Sequence, residues 1–333
     1  MDGSRALLTW LFHLHTLSGK KYPFNQWARH HEQIIAWFSD VHRDIVEQFK
    51  ITTGVMQNHN SIFKSAEEYV VYYGRKGFES LKATIAPQYC VFGDSSTSKK
   101  LNEKNVMEII VSGMIAGQKR IKKEINRDIK VQVLFGIGRE VSPEESLRLT
   151  QIAASCDRKY VPGITLVCHE PSNPPEKHLS AFQFAKAEEM ERRCHVEWVK
   201  DRPDKEKNTP EKILRNYEED KPQLRKNLET TIFQLEVTHI DHALSLAEHD
   251  NLIDEVVKRN IGITNCPGSL LLTKLIHNAE ILQLRKLLER GVHLSIDSDN
   301  DLFMPDLDEV MQICNDTYHF NPEEIEKLNQ NAE

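Results

Sequence analysis

The chain has 333 residues, of which 39% are hydrophobic and 28% charged, and its net charge is −7 at neutral pH. That length suits one large domain, a barrel taking roughly 250 residues. The acidic balance disfavours nucleic acid as the main partner, because phosphate binding needs a basic surface. No run of about 18 apolar residues offers a membrane span. Met1 to Leu14 is apolar but lacks a basic n-region and a small-residue cleavage site, so a cleaved signal is not expected. Six cysteines stand far apart without a Cys-x-x-Cys pair, the usage of a reduced, cytoplasmic protein.

In chain order, Leu11-Phe12-His13-Leu14-His15 reads as a first strand, and Tyr22 to Lys50 as helix with Trp27, Ile34, Trp37, Phe38 and Ile45 on one stripe. Asn58 to Phe63 reads as a polar connection, with a helix from Ser65 to about Gly77. Strands follow at Ser80–Ile85, Val131–Ile137 and Ile164–Val167, separated by an amphipathic helix over Asn102 to Ile125 and one opened by Ser142-Pro143-Glu144-Glu145. A helix over about Lys177 to Glu191 leads to a strand at Cys194–Val199. Lys200 to Lys226 is more than half charged and reads as a solvated insertion with some helix, or as a lid. The rest alternates again: strand Val237–His242, helix Asn251–Arg259, strand Ile261–Cys266, helix Ala279–Glu289 and strand His293–Asp297. About eight strands alternating with helices give an α/β fold, a (β/α)8 TIM-like barrel with a charged insertion after strand 5. Residues 1–333 are read as one domain.

The chemistry collects at strand ends. Residues two apart on a strand share a face, so His13 and His15 can grip one ion together. His239, Asp241 and His242 close another strand, and Asp297, Asp299 and Asn300 follow a third. Strand ends offering His, His and Asp are what a hydrolytic metal site at a barrel mouth requires.

Several motifs at these ends bring a family into view. Ile240-Asp241-His242-Ala243-Leu244 resembles the sixth-strand motif of adenosine/adenine deaminases, with Ala where that family usually has Gly. Cys266-Pro267-Gly268-Ser269 resembles its Cys-Pro-x-Ser turn, and Ser295-Ile296-Asp297-Ser298-Asp299-Asn300 its eighth-strand run. His13-Leu14-His15 with Gly19 is similar to its first-strand His-x-His…Gly. The resemblance implies a zinc-dependent barrel, with one Zn2+ per chain, that replaces the 6-amino group of a small-molecule purine with oxygen. By position it makes His13, His15 and Asp299 metal ligands and His242 the histidine that orients water. Oligomeric state is not read from the sequence.

The fifth strand departs from the family pattern. His-Ala-Gly-Glu is expected there, and this chain has Cys194-His195-Val196-Glu197-Trp198. One reading makes His195 a ligand and Glu197 the ring-protonating acid; another makes Glu197 the ligand; a third is an impaired, purine-binding or assembly subunit. Gly19, Cys168 and Asn300 fall at substrate-contacting positions, Asn300 replacing an Asp and Cys168 a Gly. His195-Val196-Glu197 also matches the His-x-Glu of cytidine deaminases, but the Pro-Cys-x-x-Cys that class needs is missing. The chain stops soon after Asn331-Ala332, where family members usually continue, so a longer native protein is an open expectation.

Overall fold

The computed structural model describes residues 45–91, 101–202, 208–300 and 304–332. They fall into two compact units: the chain up to Gly136 with Gln151–Pro162, and Ile137–Thr150 with Gly163 onward. The expected first strand, with His13, His15 and Gly19, lies outside the described residues, as does most of the aromatic helix expected before Lys50.

The first unit contains α1 (Ile45–Val55), α2 (His59–Lys76), β1 (Ser80–Ile85), α3 (Glu103–Ile125) and most of β2 (Lys130–Gly138). α2 begins at His59, within the stretch expected to be a connection. Its polar residues cap the helix: the Asn58 side chain accepts from Ser61 N at 2.9 Å, and the Ser61 hydroxyl accepts from Asn58 N at 3.3 Å. Gly77, at φ 103°, ends it in the left-handed conformation glycine tolerates. α2 and α3 pack closely because α3 presents glycines. A Cβ on Gly113 would stand 2.3 Å from the Phe63 carbonyl oxygen, and one on Gly117 2.7 Å from that of Glu67. β1 pairs parallel with β2, Ser80 opposite Lys130 and Ile85 opposite Phe135.

The second unit carries the site. It holds β3 (Gly163–Val167), β4 (Glu191–His195), β5 (His239–Asp241), β6 (Gly262–Asn265) and β7 (His293–Ile296). Strand order is chain order, and the pairing is parallel: Leu166 opposite Cys194, His195 opposite Asp241, Asp241 opposite Thr264, and Asn265 opposite Ile296. β3 is buried at every position, as a parallel strand covered on both faces must be. Strand–helix alternation with seven described strands is the α/β, TIM-like barrel class expected from the sequence. α4 (Pro143–Ala154) starts where the Ser142-Pro143 signal places it. Between β3 and β4 lies α5 (Leu179–Ala187).

β4 is displaced from its expected span. It starts at Glu191 and stops at His195 instead of reaching Val199. The cause is a competitor for the backbone: the amides of Glu197 and Trp198 donate to the Glu170 carboxylate. The charged insertion is mostly helix. α6 (Pro210–Phe233) has Thr209 as N-cap and Pro210 in its first turn. Its charges lie outward, while Ile213, Tyr217, Leu224, Asn227, Leu228 and Thr231 are buried.

α7 (Asp250–Lys258) and α8 (Pro267–Leu272) flank β6, and α9 (Leu284–Glu289) precedes β7. The helix expected over Ala279 to Glu289 is broken at Gln283, which sits at φ 46° between a 3-10 turn and α9. α10 (Leu307–Tyr318) and α11 (Pro322–Gln330) close the described chain, each opened by a reciprocal capping box. No helix among the described residues is long and apolar enough to cross a membrane.

Candidate active site

The polar residues of the second unit gather where β4, β5 and β7 end. His195 is the last residue of β4, and Glu197 stands two residues beyond it in the turn. His242 directly follows β5. Its amide donates to Thr264 O at 2.7 Å, and Asn265 Nδ2 donates to its carbonyl, so β6 fixes its backbone. Val196 N donates to Asp241 O at 3.1 Å and Leu244 N to Val196 O at 2.9 Å, which ties the turns after β4 and β5 together. His242 at φ 63° and Ala243 at φ 49° take the left-handed conformation. For a residue with a Cβ that costs about 1–2 kcal/mol, which explains why a Gly suits the position now held by Ala243.

Side chains converge from these turns. His242 Nε2 lies 3.4 Å from Glu197 Oε1, and the His195 and His242 rings meet edge to face with centroids 4.8 Å apart. His195 Nε2 is 3.7 Å from Asp241 Oδ2. One ligand atom from each of His195, Glu197 and His242 can be chosen so that all lie within 4.8 Å of one another. Imidazole nitrogens with a carboxylate oxygen form a donor set suited to zinc. His242 Nδ1 is buried and makes no hydrogen bond in the structure. The residues present therefore fit a metal of this kind, with His195 as a donor and Glu197 and His242 close beside it.

The electrostatics separate the groups. Burial pushes the Glu197 carboxyl up to about 7, helped by the charges of Asp299 and Glu170 and opposed by His242 and Arg139. Solvent still touches Glu197 on one side, but the protein packed around the rest removes most of the hydration that would favour its anion. Burial drives His195 well below the usual histidine range, and the cations His242, Arg139 and Arg193 drive it further. Burial also acts to lower His242, yet Glu197 and Asp299 outweigh it and hold that imidazole above its ordinary value. Asp297 and Asp299 are both raised from the usual aspartate value, mainly because the protein packed around them strips hydration although solvent still touches each, and the charge of Asp299 adds to the effect on Asp297.

Known proteins resemble this chain in sequence and in fold. A sequence model described as adenosine deaminase matches residues 225–333. The chain is 22% identical over 292 residues to an adenosine deaminase of Clostridium acetobutylicum, covering 87% of this chain and 76% of that one. It is 23% identical to an adenine deaminase of Kluyveromyces lactis, over 80% of this chain and 66% of the other. The chain is thus similar, at low identity, to adenosine and adenine deaminases. Among solved structures, an adenine deaminase from Arthrobacter aurescens superposes with TM-score 0.72 at 17% identity, covering 99% of this chain and 90% of that one. An amidohydrolase with bound Zn superposes at 0.71 and 16% identity, covering 99% and 87%, and an Arabidopsis ADAL–IMP complex at 0.70 and 16%, covering 98% and 86%. These likenesses give the barrel fold.

Of the deaminase-type residues expected from the sequence, His195, Glu197 and His242 come together as described, and Asp299 lies within electrostatic reach of Glu197 and His242. Asp299 adopts φ 65°, with its amide donating to Asp297 Oδ1 at 3.2 Å. Asn300 is partly buried beside it, and Cys168 is exposed at φ 72° just past β3, a backbone that favours the Gly found there in the family. His13, His15 and Gly19 lie outside the described residues. The buried pair Arg139 and Glu170 escaped the sequence reading, and Asp241, read there as part of a strand-end run without a role of its own, lies beside His195. The Asp241 signal was present in the strand-end run. Arg139 left only the trace of a lone cation closing an apolar strand.

Proposed function

We propose that the chain is a zinc-dependent hydrolase that deaminates an adenine-containing compound, adding water at C6 and releasing the amino nitrogen as ammonia. The observation that carries this reading is the meeting of His195, Glu197 and His242 at the ends of β4 and β5, with Glu197 held at about 7. His195 would hold the metal with His13, His15 and Asp299, a nitrogen-rich set closed by one carboxylate. When bound, zinc supplies Lewis-acid chemistry that lowers the pKa of water to about 7.

The chain's own residues do the rest. A carboxyl at about 7 is protonated in a large share of molecules at neutral pH, so Glu197 can protonate a purine ring nitrogen as the oxygen adds. His242, 3.4 Å from Glu197, orients the attacking oxygen and holds a proton in transit. Asn300 replaces a carboxyl at the purine-contacting position, and its amide can donate a hydrogen bond without first being protonated. Gly19 and Cys168 complete the proposed purine contacts. The free cysteines fit a reducing, cytoplasmic setting.

The test is ammonia release from adenine, adenosine and AMP by the zinc-loaded protein, with metal analysis of the same sample. Ammonia from one of them and about one zinc per chain are expected, the content of a mononuclear catalytic site. Zinc-replete protein that is silent on all three would end the proposal.

A further inference from the structure

The turn after β4 is held by residues that belong to no strand-end motif. The amides of Glu197 and Trp198 face a side chain, donating to Glu170 Oε2 at 3.0 and 2.9 Å. Glu170 is only 4% exposed. Its other oxygen accepts from Asn227 Nδ2 of α6 at 3.1 Å and lies 3.6 Å from Arg139 Nη2. Arg139 is wholly buried and grips the same segment from the other end, its Nη2 donating to the His195 carbonyl and, at 3.3 Å, to Cys194 Sγ. One guanidinium thus takes the last carbonyl of β4, and one carboxylate takes the amides two and three residues on.

Burying such a pair is costly, and apolar replacement of both partners is often neutral or stabilising, so the pair is poor evidence for stability alone. Its place suggests a geometric use. Between imidazole and carboxyl this chain has a single residue, Val196, where the family pattern has two. A turn shortened in this way is held by charge-assisted hydrogen bonds, about twice as strong as neutral ones, from its own amides to Glu170.

We propose that Glu170, braced by Arg139 and Asn227, is a positioning residue that bends the shortened turn after His195 and so sets Glu197 against His242. The proposal rests on the reading of Glu197 as the acid. Two full-length variants test it, E170Q and N227A. E170Q removes the charge and leaves one oxygen for two amides. N227A removes one donor and leaves the ion pair in place.

In E170Q the Glu197 and Trp198 amides are expected to lose protection from hydrogen exchange while β3 and β6 keep theirs. Zinc affinity and kcat are each expected to fall about 10- to 100-fold, the usual effect of losing a partner that orients the site, with KM little changed. N227A shifts the same readings in the same direction by less, and it decides the matter if E170Q does not fold. Parental exchange, zinc affinity and kcat in the variant that folds would overturn the proposal. So would a uniform loss of protection with kcat per folded molecule unchanged, the mark of a merely structural role. If the parent releases no ammonia, the proposed reaction fails, while exchange and zinc titration still decide the role of Glu170.

Discussion

The two sides of the candidate site are built differently. The end of β4 is fastened by a buried carboxylate and a buried guanidinium, and its acid faces an imidazole that is itself held by β6. The end of β7 is held more lightly, with the Asp299 amide and the Ser298 hydroxyl both directed at Asp297 Oδ1, the Asp297 amide at Asn265 O at 3.0 Å, and solvent still touching both aspartates. One side uses a buried ion pair to hold a carboxyl raised to about 7 in place. The other gathers negative charge that nothing in its own turn neutralises, which is the character wanted where a cation is to be received.

The contrast can be broken most sharply at Glu197. E197Q keeps the shape of the fastened side and removes its proton, so kcat should fall about 10²- to 10⁴-fold, the contribution of a general acid. Steady-state rates on zinc-loaded protein check this, and near-parental activity would strip Glu197 of its role.

Acid should loosen the fastened side through His178, whose Nε2 meets the Arg139 carbonyl at 3.2 Å and whose Nδ1 meets Ser146 Oγ at 3.0 Å. Burial, with Arg139 and Lys177 nearby, lowers His178 to about 3 from 6.5. The folded value lies below the unfolded one, so the unfolded chain takes up the proton first. The stability involved is whole above pH 6.5 and is lost as pH falls toward 3, at up to about 1.4 kcal/mol per pH unit. Denaturation midpoints across that window should show a shallower slope for H178Q than for the parent.

The smallest effect belongs to the open side. D297N removes one of two neighbouring like charges and should stabilise the zinc-free protein by about 1 kcal/mol, while reducing the increment that zinc adds. Thermal unfolding with and without zinc measures both, and equal increments in parent and variant would show that the charge of Asp297 does not help to attract the ion.

Much of the barrel was legible because strands covered on both faces leave apolar runs closed by punctuation. Ser80–Ile85 came out of the sequence with its observed bounds, and Gly163–Val167 within one residue. The start of α2 was missed because Asn58 and Ser61 are residues of loops and of helix caps alike, and only the reciprocal hydrogen bonds tell which. β4 was placed too late because Cys194, Val196 and Trp198 alternate with polar residues, whereas the backbone there is claimed by Glu170, far off in sequence. The same remoteness hid the Arg139–Glu170 pair: a buried ion pair has no period, and each partner alone looks like an ordinary surface charge. His195, Glu197 and His242 were legible because strand ends concentrate them in short runs. Their separation into acid and ligand was not, since it depends on burial and on neighbours' charges.

α6 has a consequence for any attempt to trim the molecule. By composition Lys200 to Lys226 reads as a detachable, water-loving excursion, yet Asn227 on the same helix reaches the Glu170 carboxylate and Thr231 lies 3.6 Å from Cys194 Sγ. A deletion that takes the helix out with the charges would therefore leave the turn after β4 without its inner brace, and insertion and candidate site have to be inherited together.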